Sequence, residues 1–160
     1  MTHVAFVGIG SNLEDPRAQV LAAFEALATL PQTQLTARSP LYRSGPIGGP
    51  PQPDYVNAVA RIETGLDAHV LLEALRGIEA RHGRSRGERN APRTLDLDLL
   101  LYDSAVLATA ELQVPHPRMH ERRFVLAPLH DIAAEIRIPG RGTVADLLAR
   151  CPAQRLEQLS

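Results

Sequence analysis

The order in which the hydrophobic period changes over the first hundred residues leaves this chain few folds. Val4 to Ile9 is a short apolar run ended by Gly10 and reads as a buried central strand. Gly8-Ile9-Gly10-Ser11-Asn12 is too short for a dinucleotide fingerprint and reads as a strand-to-helix turn. Asp15-Pro16 supplies an N-cap and a proline at the first helical position, and Val20, Ala23, Phe24, Leu27 and Leu30 follow at helical spacing until Pro31. A second strand spans Gln34 to Tyr42, with Pro40 near an edge or bulge. Tyr55 to Thr64 alternates, with Val56, Ala58, Ala60 and Ile62 on one face and Asn57 and Arg61 off it, which predicts a half-buried strand. Asp67 caps a helix to His82 whose inner stripe is Val70, Leu71, Ala74, Leu75 and Ile78, with Gly83 as its stop. Leu95 to Tyr102 is a further strand, turned at Asp103-Ser104 into a short partner at Ala105-Leu107. The order strand, helix, strand, strand, helix, strand is the α+β, ferredoxin-like βαββαβ arrangement, a sheet with both helices on one face. A C-terminal extension adds a helix near Arg122 to Leu129, a Pro139-Gly140 turn and a short helix from Val144 to Arg150.

The last of these strands carries the chemistry. Asp96 and Asp98 are separated by one residue, so on a strand they point the same way, with Cα atoms ~6.5–7 Å apart. Such a pair can neutralise hard cations such as Mg²⁺ and leave positions open for phosphate oxygens. On an exposed edge the pair would be only two solvated acids. Here Leu95, Leu97, Leu99, Leu100 and Leu101 surround it, so the strand is expected to be central, where idle charges are costly.

Just upstream the charge is of the opposite sign. Between Arg76 and Arg93 there are six Arg against Glu79 and Glu88. Arg84, Arg86, Arg89 and Arg93 could form an idle basic loop, but guanidinium groups this close repel one another, and a polyphosphate relieves the repulsion. Paired acids beside such a cluster point to a nucleotide-dependent transferase. The chain has no lysine, and all 17 basic residues are Arg, which excludes a Walker-type phosphate loop. A net charge of −1 and three Phe, three Tyr and no Trp argue against a ferredoxin-like RNA-binding module, which needs basic charge and aromatic platforms. Cys151 is the sole cysteine, so neither an internal disulfide nor a cysteine zinc site can form. At 160 residues a single domain, 1–160, is expected. The start lacks a basic, long apolar leader and no 18-residue apolar stretch occurs, so a soluble cytoplasmic protein is expected.

Other residues have an ordinary reading beside a functional one. His116, held between Pro115 and Pro117, is by default structural. Arg122 and Arg123 lie near a helix start, where they oppose the dipole, so a nearby anion rationalises them. Asn57 by default bonds a neighbouring loop, and Phe124 by default is core. Ser44 to Pro53, with three Gly and four Pro, is a loop.

Over essentially its whole length the chain resembles the 6-hydroxymethyl-7,8-dihydropterin pyrophosphokinase family of folate biosynthesis. The resemblance is carried by Gly10-Ser11-Asn12-Leu13, Tyr42-Arg43-Ser44-Gly45-Pro46-Ile47-Gly48, Asp54-Tyr55-Val56-Asn57-Ala58, Ile78-Glu79 with Gly83-Arg84, the highly specific Pro92-Arg93-Thr94-Leu95-Asp96-Leu97-Asp98, and Val114-Pro115-His116 with Arg122 and Phe124. It implies transfer of the diphosphate of ATP to the hydroxymethyl oxygen of the pterin, with release of AMP. Asp96 and Asp98 would hold two Mg²⁺, and Arg84 and Arg93 would stabilise charge at the β-phosphoryl and the departing AMP. The pterin would meet Ser44, Gly45, Pro46, Ile47, Tyr55, Asn57 and Phe124. ATP would meet Leu72, Arg76, Glu79, Arg84, Arg93, His116 and Arg122. The resemblance further implies a monomer that engages neither nucleic acid nor membrane, with the Ser44–Pro53 and Arg84–Pro92 loops closing on ATP. Asn90 stands where some members carry a Trp that closes over the pterin, Pro117 where some carry an aromatic, and Glu111 where a basic ATP contact can occur. A nucleotidyltransferase on the same fold is the rival within enzymes, and it would release pyrophosphate where the favoured reaction releases AMP.

Overall fold

The computed structural model describes residues 2–13, 15–45, 53–82 and 95–159. The expected first strand is β1 (His3–Ser11), which runs two residues beyond Ile9. It is followed by α1 (Pro16–Ala28), β2 (Thr33–Arg38), β3 (Tyr42–Ser44), β4 (Tyr55–Thr64), α2 (Ala68–Arg81) and β5 (Asp96–Tyr102). Beyond them come β6 (Leu107–Ala108), β7 (Gln113–Val114), a 3-10 turn at Met119–Glu121, α3 (Arg123–Ala133), β8 (Arg137–Ile138), β9 (Gly142–Thr143), α4 (Val144–Arg150) and β10 (Leu156–Gln158). None of the described helices is long and apolar enough to cross a membrane.

Local chemistry starts the helices where the sequence places them. The Asp15 carboxylate accepts the Ala18 N–H (3.3 Å) ahead of Pro16, and Asp67 accepts the Val70 N–H (2.9 Å). Val70 departs from its expected inner stripe and is 49% exposed, because Leu71, Leu75 and Ile78 already fill the face toward the sheet.

The sheet runs β10-β3-β4-β1-β5, with β2 also pairing β4, and every pairing is antiparallel. Setting aside β10, this is the split βαβ order expected of a ferredoxin-like fold. Three expectations change. The strand from Gln34 to Tyr42 is broken, since Pro40 has no N–H to give a ladder and the chain jogs at Ser39. There the Ser39 N–H donates to Val59 O (2.9 Å), and the Val59 N–H donates to Ser39 Oγ (2.9 Å). The segment after β5 forms its own ladder, β6 with β7, instead of pairing β5. Lastly, among the described strands β5 is the outer one and not a central one.

The continuous leucine run of β5 has a different cause: it is covered on both faces. Leu97 and Leu99 pack with Val7, Ile9, Phe24, Leu71 and Leu75 under α1 and α2. Leu100 and Leu101 join Phe6, Val59, Met119, Leu126 and Leu129 under α3 and α4. The same second layer explains why β4 is buried on both faces from Val56 to Ala60, where alternation predicted one wet side. Fixing these faces is a bulge: Phe6 pairs Leu101 and Val7 pairs Leu99, so Leu100 is an extra residue on β5.

The jog at Ser39 yields a stability test. Ser39 is 4% exposed, and Ser39→Ala leaves the buried Val59 N–H without its hydroxyl acceptor. Urea unfolding of that variant is expected to show a loss of about 1–3 kcal/mol; an unchanged midpoint would show that the hydroxyl is dispensable.

Candidate active site

The side chains of β1 that face α3 and α4 run Phe6, Gly8, Gly10. Phe6 lies under α3, and beyond it the strand presents bare backbone. Gly8 pairs Asp98 on one side and Val59 on the other, and Gly10 pairs Asp96 and Asn57. A Cβ at Gly10 would come 3.2 Å from Asn57 Nδ2, and one at Gly8 would come 3.3 Å from the Leu100 side chain. These glycines are therefore a site floor inside the strand, and the expected turn at this position is replaced by it.

Above this floor lies a cleft of about 530 Å³. Its walls bring together Ser44 and Gly45 from β3 and its end, Tyr55 and Asn57 from β4, and Asp96 and Asp98 from β5. Arg122 and Phe124 close it from the start of α3, with the Arg122 guanidinium carbon 5.6 Å from the Phe124 ring centre. Ser44 and Asn57 are buried, and Ser44 Oγ donates to Asn57 Oδ1 (2.6 Å). That bond fixes which way the amide points: Oδ1 toward Ser44 and the Nδ2 donor toward the Gly10 floor. Asn57 thus bonds a serine hydroxyl, where its default reading was a loop.

Asp96 and Asp98 share this cleft because of the bulge. Counting back from Leu101 in strict alternation would turn both acids toward α1 and α2. The extra Leu100 reverses the parity, so that Leu97 and Leu99 enter the core and the aspartates face the cleft, half-buried. No group of three or more His, Cys, Asp or Glu able to hold a metal occurs among the described residues. Two hard carboxylates beside an open volume suit a cation whose remaining positions go to ligand oxygens.

The other expected residues fall elsewhere. Glu79 is 6% exposed and accepts the Leu97 N–H (2.8 Å) on the side of β5 away from β1. It therefore seals an open ladder edge between the two acids and lies outside the cleft lining. Leu72 packs against the α1 and α2 core, and Arg76 pairs with Glu73 (3.0 Å), both on the far face of the sheet. His116 is not part of the cleft lining, though it lies near Asp96 and Arg122, which are: its backbone N–H donates to Leu100 O (2.9 Å), and its Nδ1 accepts the Arg118 N–H (3.2 Å). That second bond assigns the proton of the neutral ring to Nε2. Burial pushes the His116 pKa down to about 4, helped by Arg122 and Arg118 and opposed by Asp96. Arg84, Arg93, Pro46 and Ile47, the whole Arg84–Pro92 loop and the Ser44–Pro53 loop apart from its ends lie outside the described residues.

Residues that sequence reasoning passed over also line the cleft, namely Gly8, Gly10, Arg118, Glu121, Val125 and Gln154. The alternate glycines of β1 were a visible signal, since two glycines two apart on a strand clear one face. Arg118 follows the Pro-His-Pro segment by one residue. Nothing local marks Gln154, which arrives from the far end of the chain.

The profile of the 7,8-dihydro-6-hydroxymethylpterin-pyrophosphokinase (HPPK) family matches residues 6–134. A Pseudomonas aeruginosa protein named 2-amino-4-hydroxy-6-hydroxymethyldihydropteridine pyrophosphokinase is 46% identical over 159 residues, covering 99% of this chain and 98% of its own. A Haemophilus influenzae protein of the same name is 41% identical, covering 98% of each. Among solved structures, Plasmodium falciparum HPPK-DHPS with pterin and p-hydroxybenzoate superposes with a TM-score of 0.74 at 13% identity, a likeness of fold. That match covers 94% of this chain, which spans 43% of the longer Plasmodium chain.

The half-buried imidazole of His116 makes stability depend on pH. Its folded pKa of about 4 lies below the ordinary 6.5, so between these values the unfolded chain binds the extra proton. The stabilisation is complete above pH 6.5 and is lost as pH falls toward 4. Urea unfolding across this window is expected to show a steeper acid loss for the unsubstituted chain than for His116→Gln; parallel curves would contradict the assignment.

Proposed function

This chain belongs to the 7,8-dihydro-6-hydroxymethylpterin-pyrophosphokinase family, and from that membership we propose how its cleft performs the family's reaction. The chain is an ATP-dependent pyrophosphokinase of folate biosynthesis: it transfers the diphosphate of ATP to the hydroxymethyl group of 6-hydroxymethyl-7,8-dihydropterin and releases AMP. The hydroxymethyl oxygen bonds to the β-phosphorus and gives up its proton. The bridging oxygen between the α- and β-phosphorus leaves with AMP.

The observation that carries the site reading is the row Asn57, Gly10, Asp96 across three neighbouring strands. Asn57 lies ~9–10 Å from Asp96, two strand spacings, with no side chain between. A flat pterin fits over that gap with its pyrimidinone edge at Asn57 and its hydroxymethyl arm toward the acids. The Asn57 amide offers Nδ2–H and the second lone pair of Oδ1 to that edge, in the orientation set by Ser44. Backbone groups from Ser44 to Ile47 complete the edge contacts, and Tyr55 and Phe124 lie against the ring faces. This geometry makes phosphoryl transfer mainly a matter of placing the oxygen.

Asp96 and Asp98 hold Mg²⁺, two ions by the family pattern, which when bound neutralises the phosphates of ATP and lowers the cost of gathering their charge. Arg122 and Arg118 line the cleft and contact the triphosphate, and His116, neutral at pH 7, offers Nε2–H. Arg84 and Arg93 act on the β-phosphoryl and the leaving AMP, while Leu72, Arg76 and Glu79 belong to the nucleotide side by family pattern. For Glu79 the bond to Leu97 supports a different part, that of satisfying the outer edge of β5 between the two acids. Residues 1–160 work as one domain and as a cytoplasmic monomer; both core layers share a single six-stranded sheet, which supports the single domain.

Chromatography of a reaction with pterin, ATP and Mg²⁺ is expected to yield AMP and pterin diphosphate in equal amounts. Release of pyrophosphate would indicate a nucleotidyltransferase. Asp96→Asn and Asp98→Asn are each expected to slow turnover by about a thousandfold, in the range for losing one electrostatic stabiliser of the transition state, with little change in unfolding midpoint. Full activity of either variant at saturating Mg²⁺ would remove the acids from the mechanism.

A further inference from the structure

After α4 the chain returns to the cleft by a route that the βαββαβ frame does not contain. β10 pairs β3 with Leu156 opposite Ser44, and the Leu159 N–H donates to Leu41 O (2.8 Å). Arg155 Nη2 lies 2.6 Å from the Asp54 carboxylate, one residue before Tyr55. The segment is thus fastened to both chain ends that flank residues 46–52. Between these fastenings and α4 stands Gln154, half-buried in the cleft wall.

Gln154 Oε1 accepts the N–H of Arg123 (3.2 Å), the first residue of α3. The helix needs this bond from elsewhere, because its own N-cap residue is Arg122, which provides no side-chain cap. Two arginines at the helix start also oppose the dipole, which makes the first turn a weak place. Arg122 is held independently from the preceding turn, its N–H donating to Met119 O (3.3 Å). The other end of α3 is tied to β3, where Tyr42 donates its hydroxyl proton to Asp131. The peptide that Gln154 fixes joins Arg122 to Arg123, one residue ahead of Phe124, which lines the cleft.

We infer that Gln154 is a positioning residue of the pterin site: by capping α3 from the segment between α4 and β10, it sets the height of Phe124 above the Gly8–Gly10 floor. The inference rests on the pyrophosphokinase reading. It also assigns that segment a part in substrate specificity, since the place of Phe124 opposite Tyr55 decides which rings enter.

The test is calorimetric titration of the full chain with 6-hydroxymethyl-7,8-dihydropterin, at saturating Mg²⁺ and a nonhydrolysable ATP analogue. Gln154→Leu keeps the bulk but removes the acceptor. It is expected to raise the pterin dissociation constant about tenfold while that of the analogue changes less than threefold. Gln154→Glu restores an acceptor for the Arg123 N–H and is expected to bind pterin within threefold of the unsubstituted chain. In the Phe124→Ala background, Gln154→Leu is expected to add little, because the group it positions is gone. Unchanged pterin binding in Gln154→Leu overturns the inference. So does a Gln154→Glu variant as weak as Gln154→Leu, full additivity with Phe124→Ala, or equal losses for pterin and nucleotide. Failure of the unsubstituted chain to bind pterin at all would instead bring down the activity reading on which the inference stands.

Discussion

The site depends on one extra residue in a strand. Strand parity is absolute: without a bulge, the residues that pair Phe6 and Val7 would put Asp96 and Asp98 on the same face as Val7 and Ile9, under α1 and α2. Two carboxylates there would be desolvated, and Leu97 and Leu99 would line a wet cleft. Inserting Leu100 resolves both conflicts at once. The acids reach the open volume, and Leu97 and Leu99 reach the core. Leu100 itself closes the floor next to Gly8, where a larger residue than glycine would meet it. A bulge beside a functional site is a frequent way to re-aim a side chain, and here it re-aims a pair.

A second constraint follows from β5 being the outer strand. Its N–H and C=O groups on the side away from β1 need partners, and at two positions the protein supplies them with groups near the chemistry. Glu79 of α2 takes the Leu97 N–H between the two aspartates. The His116 N–H takes Leu100 O at the bulge. Edge protection and site construction are therefore the same contacts. This gives a structural reason for Glu79 in the family pattern that does not require it to touch a ligand, whereas the His116 contact is made by the backbone and fixes only where the imidazole stands. It also leaves His116 buried enough beside Arg118 and Arg122 to stay neutral well below pH 6.5.

Much of this was legible in the residues, for identifiable reasons. Helix starts at Asp15 and Asp67 rest on local hydrogen bonds, which a short stretch of sequence contains in full. The pairing of the acids needs only period two. Expectations failed where a second layer intervened. Val56 to Ala60 looked half-wet because nothing local announces α3 lying across it. The leucines of β5 looked like a central strand because burial by helices on both faces leaves the same mark as burial between strands. Gly8 and Gly10 read locally as a turn, since glycine signals missing side chains without saying whether the backbone bends or a ligand approaches.

What the sequence determined by itself was the inventory: two acids one residue apart, a cluster of arginines before them, and an amide, a serine and aromatic rings in fixed order along the chain. Those point to a nucleotide-dependent transferase, and the motifs that hold them carry the resemblance to the family, because each motif is local in the chain. The tertiary structure alone decided which faces they share. The bulge at Leu100, the Ser44 bond that turns the Asn57 amide, and the return of Gln154 to cap α3 each join residues distant in sequence or depend on strand register. Register and packing are settled by what every other layer can bury, and no window of sequence holds that information.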